Sequence, residues 1–201
     1  MTPKIICFFL FLFTLISCAP EKCHNKSKID YHYVDEATIP WFGIFKEGNW
    51  WVYEEEKTGL RDSMYIQNYE HKIFGMGCEF REENTAKVVS LNMFIANNDW
   101  IYGYDIGALN TTYFKIGNFA DVIYDAKIDS FFNFSFPDKK IIYLDHIKAG
   151  NNIYKEIIKI RGGNNNGVLD TLYMAKNIGV VRLVRNNQNQ VFNLINYKIN
   201  S

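Results

Sequence analysis

Apolar and polar positions fall into two regimes along the chain. Ile5 to Ile16 is an apolar run of about a dozen residues interrupted only by Thr14, well short of the ~20 residues that a membrane-spanning helix needs. From Trp41 onward the apolar residues come in short β-branched and aromatic runs separated by Gly and Asn clusters, a pattern of strands and turns. The clearest strand is predicted over Thr85–Ala96, where Val89, Leu91, Met93 and Ile95 alternate with polar Ser90 and Asn92. Trp50–Glu56 and Arg61–His71 flank Lys57-Thr58-Gly59, a loop suited to a hairpin. Asn97-Asn98 then turns the chain into Trp100–Tyr104, whose Trp100, Tyr102 and Tyr104 share a face. Further strands are predicted over Lys139–Ile147, Asn152–Arg161 and Val168–Lys176. A final pair, Gly179–Arg185 and Gln190–Ile199, is joined through Asn186-Asn187-Gln188-Asn189. Asn and Gly tolerate the left-handed backbone of tight turns, which gives these hairpins a mechanism.

About ten closely spaced strands, with no long 3.6-residue period, predict an all-β, mainly antiparallel meander. A single sheet of that many strands curls or splits, so the expectation is a curved sheet, a barrel, a half-barrel or two packed sheets. Asn118–Ser130 is the one place where a short helix is expected, covering the mouth or an edge of the sheet. The domain organisation follows: residues 1–17 as a leader, 18–34 as a polar tether without sustained period, and 35–201 as one β-rich domain.

The leader has a specific form. Lys4 supplies a basic start, the apolar run has the length of a signal h-region, and it ends at Leu15-Ile16-Ser17-Cys18. That ending resembles the lipobox of bacterial lipoproteins. The resemblance implies cleavage between Ser17 and Cys18, a diacylglyceryl group on the Cys18 thiol, and a permanent membrane attachment, since two or three acyl chains hold far better than one. Asp directly after the cysteine favours inner-membrane retention in enteric bacteria; Ala19 stands there in this chain. The resemblance therefore implies an outer-membrane address, with the periplasmic and surface-facing orientations both open.

Charge and cysteine count narrow the function classes. The chain carries 22 basic and 22 acidic residues, and losing Lys4 with the leader leaves 21 against 22. Without a basic run there is no electrostatic case for nucleic acid. Of four cysteines, Cys7 leaves with the leader and Cys18 takes the lipid, so Cys23 and Cys78 remain, free or paired in an oxidising compartment. His24 and His32 lie among Asp30, Asp35 and Glu36, but not at the close spacing that metal ligands adopt, so no metal or cofactor is expected.

Gly48-Asn49-Trp50-Trp51-Val52-Tyr53, Gly59 and Asp62-Ser63, with the closing Asn177-Ile178-Gly179-Val180-Val181-Arg182 and Phe192-x-Leu194-x-x-Tyr197, resemble the opening and closing hairpins of lipoproteins common in Bacteroidota. The resemblance covers both ends of the domain and implies fold and address without a mechanism. The remaining motifs are weak. Gly162-Gly163-Asn164-Asn165-Asn166-Gly167 lacks acidic ligands at both ends of a calcium-loop register and reads as a hairpin loop. Glu54, Glu55 and Glu56 read as a solvated strand end, and Asp145-His146 has no nearby nucleophile. Trp50 reads as core. Phe132, Phe134 and Phe136, on one face if extended, are with Trp100 the candidates to line a ligand pocket, against the alternative of ordinary aromatic core. The expectation is a non-catalytic envelope module that is held on the membrane by its lipid and binds a protein, glycan or lipid. A hydrophobic-ligand carrier is the alternative, ahead of an envelope hydrolase.

Overall fold

The computed structural model describes residues 30–76, 79–90, 103–108, 112–116, 120–125, 130–133, 141–163, 169–186 and 188–200. In chain order the elements are β1 (Asp30–His32), a short helix α1 (Ile39–Phe42), β2 (Trp50–Glu55), β3 (Arg61–Met76), β4 (Glu79–Ser90), β5 (Gly103–Ala108), β6 (Thr112–Ile116), β7 (Ala120–Asp125) and β8 (Ser130–Asn133). They continue with β9 (Ile142–Ala149), β10 (Asn152–Gly163), β11 (Leu169–Ala175), β12 (Gly179–Arg185) and β13 (Gln190–Lys198). The all-β, mainly antiparallel expectation holds.

All strands join one sheet of 13, in the order β8-β7-β6-β5-β4-β3-β2-β13-β12-β11-β10-β9, with β1 added in parallel to β4. The chain thus meanders outward from β2 to the edge strand β8, crosses to the opposite edge at β9, and meanders back until β13 pairs with β2. Flat, twelve neighbouring strands would hold those edges about 50 Å apart at ~4.8 Å per spacing. The link from Asn133 to Ile142 reaches about 30 Å at most, at ~3.5 Å per residue. Covalent connectivity therefore forces the sheet to curl. Extra residues that bend strands assist it: the register shifts between Ile66 and Asn68, between Tyr173 and Met174, and between Leu194 and Asn196.

The edges do meet. The backbone N–H of Phe131 on β8 donates to the Tyr143 hydroxyl on β9 at 3.1 Å, and their rings stack at 6.3 Å. No backbone ladder joins β8 to β9 among the described residues, so the curled sheet stays open along a seam closed by side chains.

The concave face holds the core. Trp51, Tyr53, Met64, Ile66, Ile158, Ile160, Leu172, Met174, Leu183, Phe192 and Leu194 are buried there or packed against it. Trp51, not Trp50, is the fully buried indole. It donates to Ile178 O at 2.6 Å, while the Tyr53 hydroxyl donates to Val180 O at 2.9 Å, tying β2 to the far half of the sheet. Gly179, at φ +95°, has room for no side chain: a Cβ would lie 2.8 Å from Ile44 Cδ1.

The expected hairpins form. β2 and β3 pair around the 56–60 turn, where Gly59 adopts φ +70° and donates its N–H to Glu55 O. β12 and β13 pair on either side of 186–189, and β10 pairs with β11, with Gly162 and Gly163 inside the ladder opposite Asp170 and Leu169 while 164–168 lie outside the described residues.

Three expectations need correction. The short helix is not at Asn118–Ser130, where β7 forms by pairing with β6 and β8 begins; the helix lies at Ile39–Phe42. Residues 30–34, expected to lie outside the domain, belong to the sheet, because Asp30, Tyr31 and His32 pair with Glu79, Phe80 and Arg81, and Val34 N–H donates to Glu82 Oε2 at 2.9 Å. Glu55 is not solvated but 2% exposed, on the strand face opposite Glu54, which pairs with Arg61.

Candidate functional site

The seam between β8 and β9 is where the two edges of the sheet meet without a ladder among the described residues. The segment before β2 plugs it. Asp35 starts a 3-10 turn, accepting from Ala37 N–H at 2.9 Å through Oδ1 and from the Thr38 hydroxyl at 2.6 Å through its carbonyl. Pro40 follows in the first turn of α1, where its missing N–H costs nothing, and Gly43 closes the helix on Ile39 O. Asn177 N–H donates to Pro40 O at 2.6 Å, fixing α1 to the turn between β11 and β12.

So placed, α1 presents two buried rings to the seam. Phe131 meets Trp41 edge to face at 6.0 Å and Phe42 at 5.7 Å, arrangements that aromatic quadrupoles favour. Trp41, Phe42 and Phe131 are all buried, whereas Tyr143 is 48% exposed. Tyr143 therefore forms the outer leaf of the seam and Phe131 the inner one. Behind them, Phe45 packs on Trp51 at 5.5 Å, and Asn49 anchors the segment by donating to Ile44 O and accepting from Asn200 N–H at 2.8 Å.

Polar groups gather at the far end of the strands, beside the turns. Asp170 and Arg185 are 5% and 3% exposed. Burial raises the Asp170 carboxyl above its ordinary value, against the opposing pull of Asn186 N–H, which donates to Oδ1 at 2.6 Å, and of Arg185. Burial likewise lowers Arg185, while Asp170 opposes it. Glu55 behaves in the opposite way. Its Oε2 accepts from the Thr58 hydroxyl at 2.7 Å, Thr58 N–H at 2.6 Å and Lys57 N–H at 3.1 Å, and the Thr58 hydroxyl is the leading reason its pKa is lowered. These carboxylates cap turns of the hairpins.

The catalytic and metal candidates do not converge. Asp145 and His146 are exposed on β9, and His71 lies 3.3 Å from Glu82 on the β3–β4 arm. Among the described residues no group of three or more His, Cys, Asp or Glu is placed to hold a metal ion, and no helix is long and apolar enough to cross a membrane.

Of the predicted ligand-lining aromatics, Phe132 lies in β8, paired with Ile123. Phe134, Phe136 and Trp100 lie outside the described residues, as do Ser17, Cys18, Cys23 and Cys78. The seam residues that the pattern did not single out are Phe131, one position before the predicted stripe, with Phe42 and Tyr143. The doubled Phe131-Phe132 and the apolar Ile141-Ile142-Tyr143-Leu144 were their signal; that the two runs meet depends on the curl. The chain matches no protein-family model, no curated protein and no solved structure, so the reading of the site rests on its own residues.

Proposed function

We propose that this chain is a lipid-anchored bacterial envelope protein whose β domain is a non-catalytic binding module. The observation that carries the reading is the order of the first thirty positions. A basic start, the Ile5–Ile16 run and Leu15-Ile16-Ser17-Cys18 are followed, 12 positions after Cys18, by the first strand of a large sheet. Lipid on Cys18 makes the short intervening segment the tether and keeps the domain within reach of one bilayer. Ala19 favours the outer membrane. The partner is a protein, glycan or lipid, since the balanced charge offers nothing to nucleic acid.

Radiolabelled palmitate fed to bacteria producing the full chain tests this reading. Label is expected on the wild-type chain and not on Cys18→Ser. An unlabelled wild-type chain, or equal label on both, refutes it.

One observation favours the sharper reading, a carrier of an acyl chain or lipid. The seam is lined by Trp41, Phe42 and Phe131, and the Phe131–Tyr143 ring stack and hydrogen bond bridge it where no ladder runs among the described residues. Parting Tyr143 from Phe131 breaks no strand ladder among the described residues, which would give an apolar tail a route inward. Native mass spectrometry of the chain extracted from its envelope tests it: a lipid mass beyond the covalent anchor supports the carrier, and its absence refutes it.

A further inference from the structure

The strands β3 and β4 run past the rest of the sheet. Among the described residues β2 pairs with β3 over Arg61–Tyr65 and β5 pairs with β4 over Glu83–Lys87, so the rest of β3 and β4 forms an arm to which β1 adds a third strand. This arm carries the densest group of exposed large apolar side chains among the described residues. Tyr31 is 53% exposed, Tyr33 65%, Ile73 52% and Phe74 45%. The rings are organised: Tyr31 stacks on Phe80 at 5.0 Å and on Tyr33 at 6.2 Å. Gly75 makes room for Phe80, whose ring lies 3.0 Å from where a Cβ would stand. Lys72 pairs with Glu70, and Glu82, on the face of Phe80, accepts from Val34 N–H at 2.9 Å and lies 3.3 Å from His71. Exposed apolar patches of this kind mark interaction sites.

We infer that one face of this arm docks on the lipid bilayer to which the chain is anchored, with Tyr31, Tyr33, Ile73 and Phe80, which the register places on that face, at the headgroup level. The inference rests on the lipoprotein reading above. The length of chain outside the structure argues for the bilayer as occupant. Only 12 positions separate Cys18 from Asp30. As a flexible coil they span about 20 Å, and fully extended about 40 Å. Tyr31 and Tyr33 are where that tether joins the fold, so the aromatic arm is the part of the domain held nearest the anchor. Tyrosine, with an apolar ring and a polar tip, suits the interface between hydrocarbon and water. With two attachments, the anchor and the arm, the domain is oriented instead of swinging on its tether.

Photo-crosslinking of the full chain tests the inference. The chain is reconstituted in phosphatidylethanolamine/phosphatidylglycerol vesicles containing a phospholipid with a diazirine near the headgroup, and adducts are mapped by peptide mass spectrometry. Adducts are expected on peptides containing residues 31–33 and 72–74, and not on the equally exposed Ile153. Tyr31→Ser/Tyr33→Ser/Ile73→Ser should reduce arm adducts at least tenfold, given what burying even part of three large side chains contributes, while leaving the Cys18 modification unchanged. The same spectra report the mass on Cys18 separately. A lipid on Cys18 with no arm adducts overturns the docking and spares the anchor reading; arm adducts without that lipid overturn the anchor reading and support the docking. An arm covered instead by a second copy of the chain or by another protein stays unlabelled, which also overturns the docking.

Discussion

Phe131→Ala is the sharpest perturbation of the seam. Phe131 is 5% exposed and meets Trp41 and Phe42 edge to face and Tyr143 in a stack. Truncating a buried Phe costs about 3–5 kcal/mol. Because β8 is an edge strand that can relax into the gap, the lower end applies, about 3 kcal/mol. That is a large share of the ~5–15 kcal/mol by which domains are stable. With a urea m-value of ~1–3 kcal/mol/M, the unfolding midpoint falls by about 1 M or more. Trp41 and Trp51 fluorescence follows the transition, Trp41 from within the seam. Tyr143→Phe keeps the ring and removes the hydroxyl that accepts from Phe131 N–H at 3.1 Å, so it costs about 1 kcal/mol. Tyr143→Ala combined with Phe131→Ala should show coupling of about 0.5–1.5 kcal/mol, the value of an aromatic pair. Ile153→Ala, 67% exposed, should lie within about 0.5 kcal/mol of wild type. A Phe131→Ala cost below about 1 kcal/mol, or no coupling with Tyr143, would refute a packed seam.

Further substitutions test other parts of the structure. Asp170→Ala removes the acceptor of Asn186 N–H and the negative charge that favours charged Arg185, and should cost about 2 kcal/mol; chemical denaturation decides it, and a loss below about 0.5 kcal/mol would argue against a buried, hydrogen-bonded Asp170. Because burial raises Asp170, its contribution to stability declines as pH rises from 3.8 through its folded value. Glu55 has the reverse sign: its lowered pKa contributes stability above the ordinary 4.5 that is lost as pH falls through the folded value. Thr58→Val removes the leading cause, so a carboxyl NMR titration should show Glu55 moving up toward 4.5; an unchanged titration would remove the Thr58 hydroxyl as the cause. Gly179→Ala combines a left-handed backbone with a 2.8 Å approach to Ile44, and should lower stability by more than Gly59→Ala, which meets nothing within 4 Å. Thermal melts compare the two, and equal shifts would mean that the segment before β2 is not packed on Gly179.

The parts of the fold that were legible in the sequence are those set by neighbours in the chain. Alternation and turn chemistry around Gly59 and 186–189 placed the opening and closing hairpins. The curl was legible from strand number alone. The errors fall where pairing partners lie far away. Ala120–Asp125 is short and mixed enough to suit either helix or strand, and its ladder with Thr112–Ile116 decides for strand. Asp30–His32 carries no strand signal of its own and is held by Glu79–Arg81, about fifty positions downstream. Glu55 looked solvated among three glutamates, yet strand alternation turns it inward to cap its own hairpin turn. The seam was half legible. The phenylalanine run drew notice, but joining Phe131 to Tyr143 and Trp41 requires the two edges of the sheet to meet.

Intact-mass and N-terminal peptide mass spectrometry on the chain purified from a bacterial envelope tests the central claim, that this sheet is held to a membrane through Cys18. The account predicts a mature chain that begins at Cys18, with a diacylglyceryl mass on that residue. A chain that still carries residues 1–17, or one that begins elsewhere with an unmodified Cys18, would contradict it.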